Sequence, residues 1–68
     1  MSELTFVGEI PRNSEDSIRV YQGQYWKIDV IDCRWYNNDK PTRKGIRMNK
    51  EEALLLYHML GEILEEDK

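Results

Sequence analysis

The sequence predicts an α+β domain in which four β-strands are followed by one C-terminal helix. Over most of the first 48 residues, apolar side chains alternate with polar ones, which is the period of a strand with one buried face. Clusters of Pro, Asn, Asp and Gly divide this region into segments. From Asn49 onward the hydrophobic period becomes that of an amphipathic helix. The chain of 68 residues is therefore expected to form one two-layer domain, 1–68.

The first two strands are predicted over 4–10 and 17–25. Gly8 lies inside the first strand, where a glycine often marks a β-bulge. The segment 11–16, PRNSED, has the composition of a turn and separates the two strands.

A basic hairpin follows, and its two strands are predicted over 31–36 and 42–48 with a turn at 37–41. Its start is ambiguous, because a turn at 22–23 and a reversal at 26–28 both fit the period. In the first strand of the hairpin, one face carries Ile31, Cys33 and Trp35 and the other carries Asp32, Arg34 and Tyr36. The first of these faces is predicted to belong to the core.

The helix is predicted from about Lys50 to about Leu64. Asn49 and Glu52 have the spacing of a capping box, in which each side chain bonds to the backbone of the other residue. The apolar stripe consists of Ala53, Leu56, Leu60, Ile63 and Leu64, widened by Leu55 and Met59. We expect this helix to cover one face of the sheet and to leave a surplus apolar flank as a dimer seam.

Size and composition favour a homodimer. A single core rarely stabilises a domain this small by more than about 3 to 5 kcal/mol. A disulfide is excluded because Cys33 is alone, and Cys33 with His58 is too few soft ligands for a zinc site. Self-association remains as the source of further stability. With no signal-type or membrane-spanning segment in the sequence, we expect an intracellular protein, cytoplasmic or nucleoid-associated.

Charge is distributed unevenly along the chain, whose net charge is −3. Residues 1–48 carry eight Lys or Arg against seven Asp or Glu, whereas residues 49–68 carry two against six. The field at a surface follows local charge, so the negative total is compatible with a polyanionic partner.

Strand parity places basic and aromatic side chains on the sheet face that the helix leaves open. This face is predicted to carry Arg19, Tyr21, Tyr25, Arg34, Tyr36, Arg43 and Arg47, with Asp32 as the acid among them. Cations bind phosphates, and flat rings stack on bases of any sequence. The pattern is typical of a surface for single-stranded nucleic acid.

Four short segments stand at a spacing that resembles one known family. The run 12–14 (RNS) leads to 18–20 (IRV), 31–36 (IDCRWY) is similar to I/V-D-I-R-x-Y, and 40–46 (KPTRKGI) is similar to K-P-x-K/R-K-G-I. The last motif is the most specific. Over 18–56 the chain resembles the transcriptional coactivators called positive cofactor four, in particular their short bacterial and phage versions.

The resemblance implies a curved four-stranded antiparallel sheet and one helix, dimerisation largely through the helices, and single-stranded DNA along the open sheet face. It also implies a reversal at 26–28 and a stacking role for Tyr25. Lys44 matches a lysine that contacts nucleic acid, although parity places it beside Ile46, and we expect it to swing out. Two departures are Trp26-Lys27 in a turn that often carries Lys-Gly, and Asn37 where some members have an aromatic residue.

The residues expected to bind nucleic acid are Arg12, Arg19, Tyr25, Trp26, Lys27, Arg34, Tyr36, Arg43, Lys44 and Arg47. Alternatives remain open for several of them: Arg34 is equally suited to an ion pair with Asp32, and Tyr36 to covering the sheet edge.

The sequence predicts no catalytic residues, cofactor or metal site, because it has no paired nucleophile and base and no phosphate loop. The expected activity is sequence-tolerant binding of single-stranded DNA in transcription regulation, with the transcription machinery as a possible partner and no membrane partner. A protein-interaction module that binds a polymerase or other factor, and a single-stranded RNA binder, remain as alternatives.

Overall fold

A computed structural model describes residues 3–66, which form one antiparallel sheet and one helix. The elements are β1 (Glu3–Pro11), β2 (Asp16–Tyr25), β3 (Ile28–Asn37), β4 (Lys40–Asn49) and α1 (Lys50–Glu66). Strand order in the sheet follows chain order, so β1 and β4 are the edge strands. The predicted α+β class is confirmed, and each strand extends beyond its predicted range because pairing continues to the residues that flank the turns.

Two-residue turns close both hairpins of β3. Tyr25 pairs with Ile28, so the reversal falls after Tyr25 and the alternative turn at 22–23 is wrong. Positive φ angles occur at both turn residues of each hairpin, with 52° and 68° at Trp26 and Lys27, and 50° and 67° at Asn38 and Asp39. Such turns match the twist of the adjacent strands.

Each edge strand contains an irregularity. In β1 the pairing shifts between Phe6 and Gly8, which confirms the predicted bulge. In β4, Pro41 pairs with Tyr36 and Gly45 pairs with Arg34, so the three residues 42–44 lie opposite the single residue between them, Trp35. We call this segment, Thr42-Arg43-Lys44, the β4 bulge.

Directly paired residues share a sheet face, so the register defines two faces. The arginine–tyrosine face carries Arg19, Tyr21, Tyr25, Asp32, Arg34, Tyr36 and Arg47. The apolar face carries Ile18, Val20, Ile31, Cys33, Trp35, Ile46 and Met48. The predicted separation of polar and apolar side chains along β2 and β3 is confirmed.

The helix does not cover the sheet, and that expectation was wrong. It contacts only β3 and β4, its side chains from Leu54 to Glu65 are all exposed, and Ala53 is half-buried. The physical reason is the connection: β4 ends at Asn49 and α1 begins at Lys50, which leaves no loop to turn the helix back.

Hydrogen bonds fix this junction as predicted. The Asn49 amide donates to Glu52 Oε1 at 2.9 Å, and the Glu52 amide donates to Asn49 Oδ1 at 2.8 Å. At the base of the helix, Lys50 Nζ lies 3.3 Å from Asp29 Oδ2.

Burial within the single chain is limited. Val30 and Met48 are the buried apolar residues of the described part, one on each face of the sheet, whereas Ile31, Cys33 and Trp35 are only half-buried. The described helix is not long and apolar enough to cross a membrane.

Candidate nucleic-acid interface

Aromatic rings form a row across the arginine–tyrosine face. Phe6 meets Tyr21 edge to face with ring centroids 5.5 Å apart, and Tyr21 stacks with Tyr36 at 6.2 Å. The Arg19 guanidinium lies 4.4 Å from the centroid of the Tyr36 ring. The row therefore joins three strands, and one end of it is covered by a cation.

Arg19 is held in place by two carboxylates. Its Nε donates to Glu9 Oε2 at 3.2 Å, and its Nη2 donates to Asp39 Oδ1 at 2.5 Å. The Asp39 hydrogen bond raises the pKa of Arg19, while hydrogen bonds from Ser17 and Arg19 lower the pKa of Glu9. The charge of Arg19 is thus compensated inside the chain.

A buried carboxylate, Asp32, gathers two further arginines. Arg34 donates to it through Nε at 3.3 Å and Nη2 at 3.1 Å, which raises the pKa of Arg34. Arg34 also donates through Nη1 to the Thr42 carbonyl at 3.0 Å, so all three of its nitrogens bond within the chain. This geometry favours the ion-pair alternative for Arg34.

Arg47 is attached to the same carboxylate more loosely. Its Nε lies 3.5 Å from Asp32 Oδ1, and its side chain is 44% exposed. The two terminal nitrogens of its guanidinium form no ion pair within residues 3–66 and can donate to an external acceptor.

Hydrogen bonds shape the β4 bulge. Thr42 Oγ1 donates to the Trp35 carbonyl at 2.8 Å and accepts from the Lys44 amide at 3.2 Å. The bond from Arg34 to the Thr42 carbonyl ties the bulge to β3. Arg43 and Lys44 are exposed, and within residues 3–66 neither forms an ion pair with a carboxylate.

The β2–β3 turn presents a second group of predicted residues. Trp26 is 80% exposed, and its ring meets the Tyr25 ring edge to face at 6.0 Å. Lys27 is also exposed and forms no ion pair in the described part of the chain. This tip lies at the opposite end of β3 from the turn at Asn38-Asp39.

Arg12 and Lys44 lie against the apolar face instead of the arginine–tyrosine face. The Arg12 guanidinium is 4.5 Å from the centroid of the Trp35 ring, and Lys44 lines a cleft beside the same ring. In the structure Lys44 thus lies on the side of Trp35, and its swing to the open face stays a prediction; the hydrogen bond from its amide to Thr42 Oγ1 fixes its backbone in the bulge. The predicted site is divided between two faces.

Two residues that contact the predicted site were not predicted as parts of it. Trp35 was assigned to the core from its parity, and Phe6 was not placed on a face. Their parity was readable from the sequence. The contact between Arg12 and Trp35 was not, since it joins a loop to a strand two elements away.

Cys33 behaves as the predicted small apolar residue. Burial, followed by the charge of Asp32, raises the pKa of its thiol, which disfavours the nucleophilic thiolate. Within residues 3–66 no three His, Cys, Asp or Glu side chains are grouped as a metal site requires.

Comparisons with protein-family models, with curated proteins and with solved structures find no match to this chain.

Proposed function

We propose that this protein binds single-stranded nucleic acid, primarily DNA, with little sequence preference. The observation that carries the proposal is the β4 bulge, where Arg43 and Lys44 are exposed beside an aromatic sheet surface and form no ion pair within residues 3–66. Unpaired cations bind phosphates at no cost in broken ion pairs, and exposed rings accept any base.

Each group of residues has a distinct role in this proposal. Arg43, Lys44 and the terminal nitrogens of Arg47 bind phosphates. Trp26 and Tyr25 stack on bases at the far end of the sheet, and Lys27 adds a cation there. Arg19 and Arg34 hold the surface together, because Arg19 donates to two carboxylates and each of the three nitrogens of Arg34 donates a hydrogen bond inside the chain. Tyr36 lies beneath Arg19 and supports it.

The proposal includes a homodimer in which the helices of two chains pack together. The larger apolar side chains of the helix are between 36% and 70% exposed, and such a stripe is the surface that a second helix packs against. The resemblance to positive cofactor four supports helix-mediated pairing and a role in transcription inside the cell.

Titration with fluorescein-labelled oligo-dT at low and high salt tests the proposal. We expect salt-sensitive binding, because each phosphate contact releases counterions. Arg43→Ala with Lys44→Ala should weaken binding at least about tenfold and reduce the salt slope by about 1.4.

Lys50→Ala is the control for charge, because Lys50 is paired with Asp29 at the other end of β4. The affinity of this variant for oligo-dT should stay close to that of the unchanged protein. Absence of binding at low salt, or an unchanged affinity in the double variant, would refute the proposal. An oligo-rU titration in parallel compares RNA with DNA.

A protein-interaction module is the second candidate. This candidate is favoured by the ion pairs of Arg19 and Arg34 with carboxylates, because these pairs reduce the positive field of the arginine–tyrosine face. Pull-down of a polymerase or other factor that survives nuclease treatment, together with failed oligonucleotide binding, would select this candidate.

A further inference from the structure

We propose that the cleft between Arg12, Trp35 and Lys44 is a phosphate-binding site on the opposite side of the sheet from Arg47. The cleft has a volume of about 430 Å³ and is lined by Arg12, Asp16, Trp35, Tyr36, Asn37, Thr42 and Lys44. This inference rests on the proposed function and deepens it, because it adds a second contact point for a strand that the β4 bulge binds.

Trp35 orients Arg12 in this site. The guanidinium lies 4.5 Å from the centroid of the indole ring, a distance at which the ring attracts the cation. Stacking uses the flat face of a guanidinium and leaves its N–H edges free. The Arg12 side chain donates no hydrogen bond to residues 3–66, so these edges are available for a bidentate phosphate contact.

The backbone around the cleft is fixed by hydrogen bonds. The Arg12 amide donates to the Asp16 carbonyl at 2.9 Å, which holds the β1–β2 loop above Trp35. On the other side, Thr42 Oγ1 donates to the Trp35 carbonyl and accepts from the Lys44 amide. The two cations therefore approach the ring from separate, hydrogen-bonded segments.

Asp16 is the acidic group of the cleft, and its carboxylate is already engaged. It accepts hydrogen bonds from Asn37 Nδ2 at 2.8 Å and from Asn13 Nδ2 at 3.2 Å. With Arg12 and Lys44 counted against Asp16, the cleft keeps one net positive charge. That charge matches one phosphodiester.

A strand can reach this cleft from the arginine–tyrosine face. Because β4 is an edge strand, nothing in the sheet blocks passage over it. Arg47 lies on one side of β4, Arg43 belongs to the β4 bulge, and Lys44 lies on the other side. A bound strand would cross the sheet edge at the bulge.

Oligo-dT titrations of full-length Arg12→Ala, Arg12→Lys and Trp35→Leu test the site. We expect Arg12→Ala and Trp35→Leu to weaken binding about tenfold, and Arg12→Lys to fall between them and the unchanged protein, since lysine keeps the charge and loses the fork. Lys40→Ala is the matched control: it removes an exposed cation of the same hairpin outside the cleft. It should change affinity less than about threefold.

The indole N–H resonance of Trp35, assigned with Trp26→Phe, reports occupancy of the cleft directly. Oligo-dT with and without a 5′-phosphate, and inorganic pyrophosphate, distinguish the phosphate source. Equal shifts with both oligonucleotides identify backbone phosphates, whereas shifts only with the 5′-phosphate or pyrophosphate identify a terminal or free phosphate.

Unchanged oligo-dT affinity of Arg12→Ala, or an equal loss in Lys40→Ala, would overturn the site and leave the proposed function intact. A pyrophosphate shift that depends on Arg12, without oligonucleotide binding, would overturn the proposed function and retain the site. Because Arg12→Ala alters an exposed side chain, it remains informative if Trp35→Leu fails to fold.

Discussion

At the scale of single residues, Gly45 permits the β4 bulge. A Cβ atom at this position would lie 2.6 Å from the Cys33 carbonyl oxygen and 2.8 Å from the Arg34 Cα. Both are backbone atoms of β3 and cannot move aside as a flexible side chain can. The glycine of the Lys-Gly-Ile segment is therefore explained by the close approach of two strands.

We expect Gly45→Ala to lower the free energy of unfolding by about 1 to 3 kcal/mol, because β3 and β4 must separate to admit the methyl group. Urea unfolding followed by circular dichroism measures the change. Gly61→Ala is the control, since a Cβ there meets nothing within 4 Å. In the exposed helix it should raise stability by about 0.5 to 1 kcal/mol. Equal stability of Gly45→Ala and the unchanged protein would contradict this account of the bulge.

The sequence predicted the sheet face of single residues but not all of their contacts. Parity placed Arg34 and Asp32 on one face, yet it could not distinguish an ion pair from a phosphate ligand. That choice depends on the β4 bulge, which brings the Thr42 carbonyl to Arg34 Nη1. An irregularity of pairing has no period, so a pattern of alternation does not reveal it.

At the scale of elements, the two hairpin turns differ in how well their residues suit the backbone. Asn38 and Asp39 belong to the types that tolerate positive φ, whereas Trp26 and Lys27 adopt the same geometry at a steric cost. Backbone strain of this kind is often retained at functional positions. The β2–β3 turn thus exposes an indole and an ammonium group at some expense in stability.

Trp26→Asn with Lys27→Gly should stabilise the fold by about 1 kcal/mol, because this pair is the preferred sequence for such a turn. Thermal unfolding measures the gain, and Asn38→Gly is the control with a smaller expected effect. Under the proposed function the same double variant weakens oligo-dT binding. A loss of stability would show that the Trp26 ring contributes more through its contact with Tyr25 than the turn geometry costs.

The elements themselves were largely predictable. Alternation located the strands, and the Asn49 and Glu52 spacing located the start of the helix, as their reciprocal hydrogen bonds confirm. The turn at Trp26-Lys27 was harder, because its residues are not typical turn formers. The packing of the helix on the sheet was mispredicted, since sequence period reports which side of a helix is apolar and not what that side contacts.

At the scale of the whole molecule, the single chain leaves most of its apolar side chains accessible to solvent. Val30 and Met48 are the buried apolar side chains of the described residues, while the helix stripe and much of the apolar sheet face remain accessible. A domain this small needs an additional source of stability. A second copy of the chain provides it in the proposed homodimer.

We expect a dimer in sedimentation equilibrium at micromolar concentration and a monomer for Leu56→Glu with Leu60→Glu, because two carboxylates cannot be buried in an apolar seam. His58→Glu is the matched control, since His58 lies on the other side of the helix from the stripe and gains the same type of charge. A monomeric unchanged protein, or dimerisation by the double variant, would contradict the homodimer.

β4 continues into α1 without a loop. Because strand and helix share one continuous backbone at Asn49 and Lys50, the orientation of the helix axis is fixed relative to the strand that carries the bulge. In a helix-paired dimer, the crossing angle of the two helices would set the distance between the two β4 bulges and their relative orientation. A residue inserted at the junction would rotate the helix by about 100° and change that relative orientation. In the proposed dimer, the capping box would thus set both the start of the helix and the spacing of contacts along a bound strand.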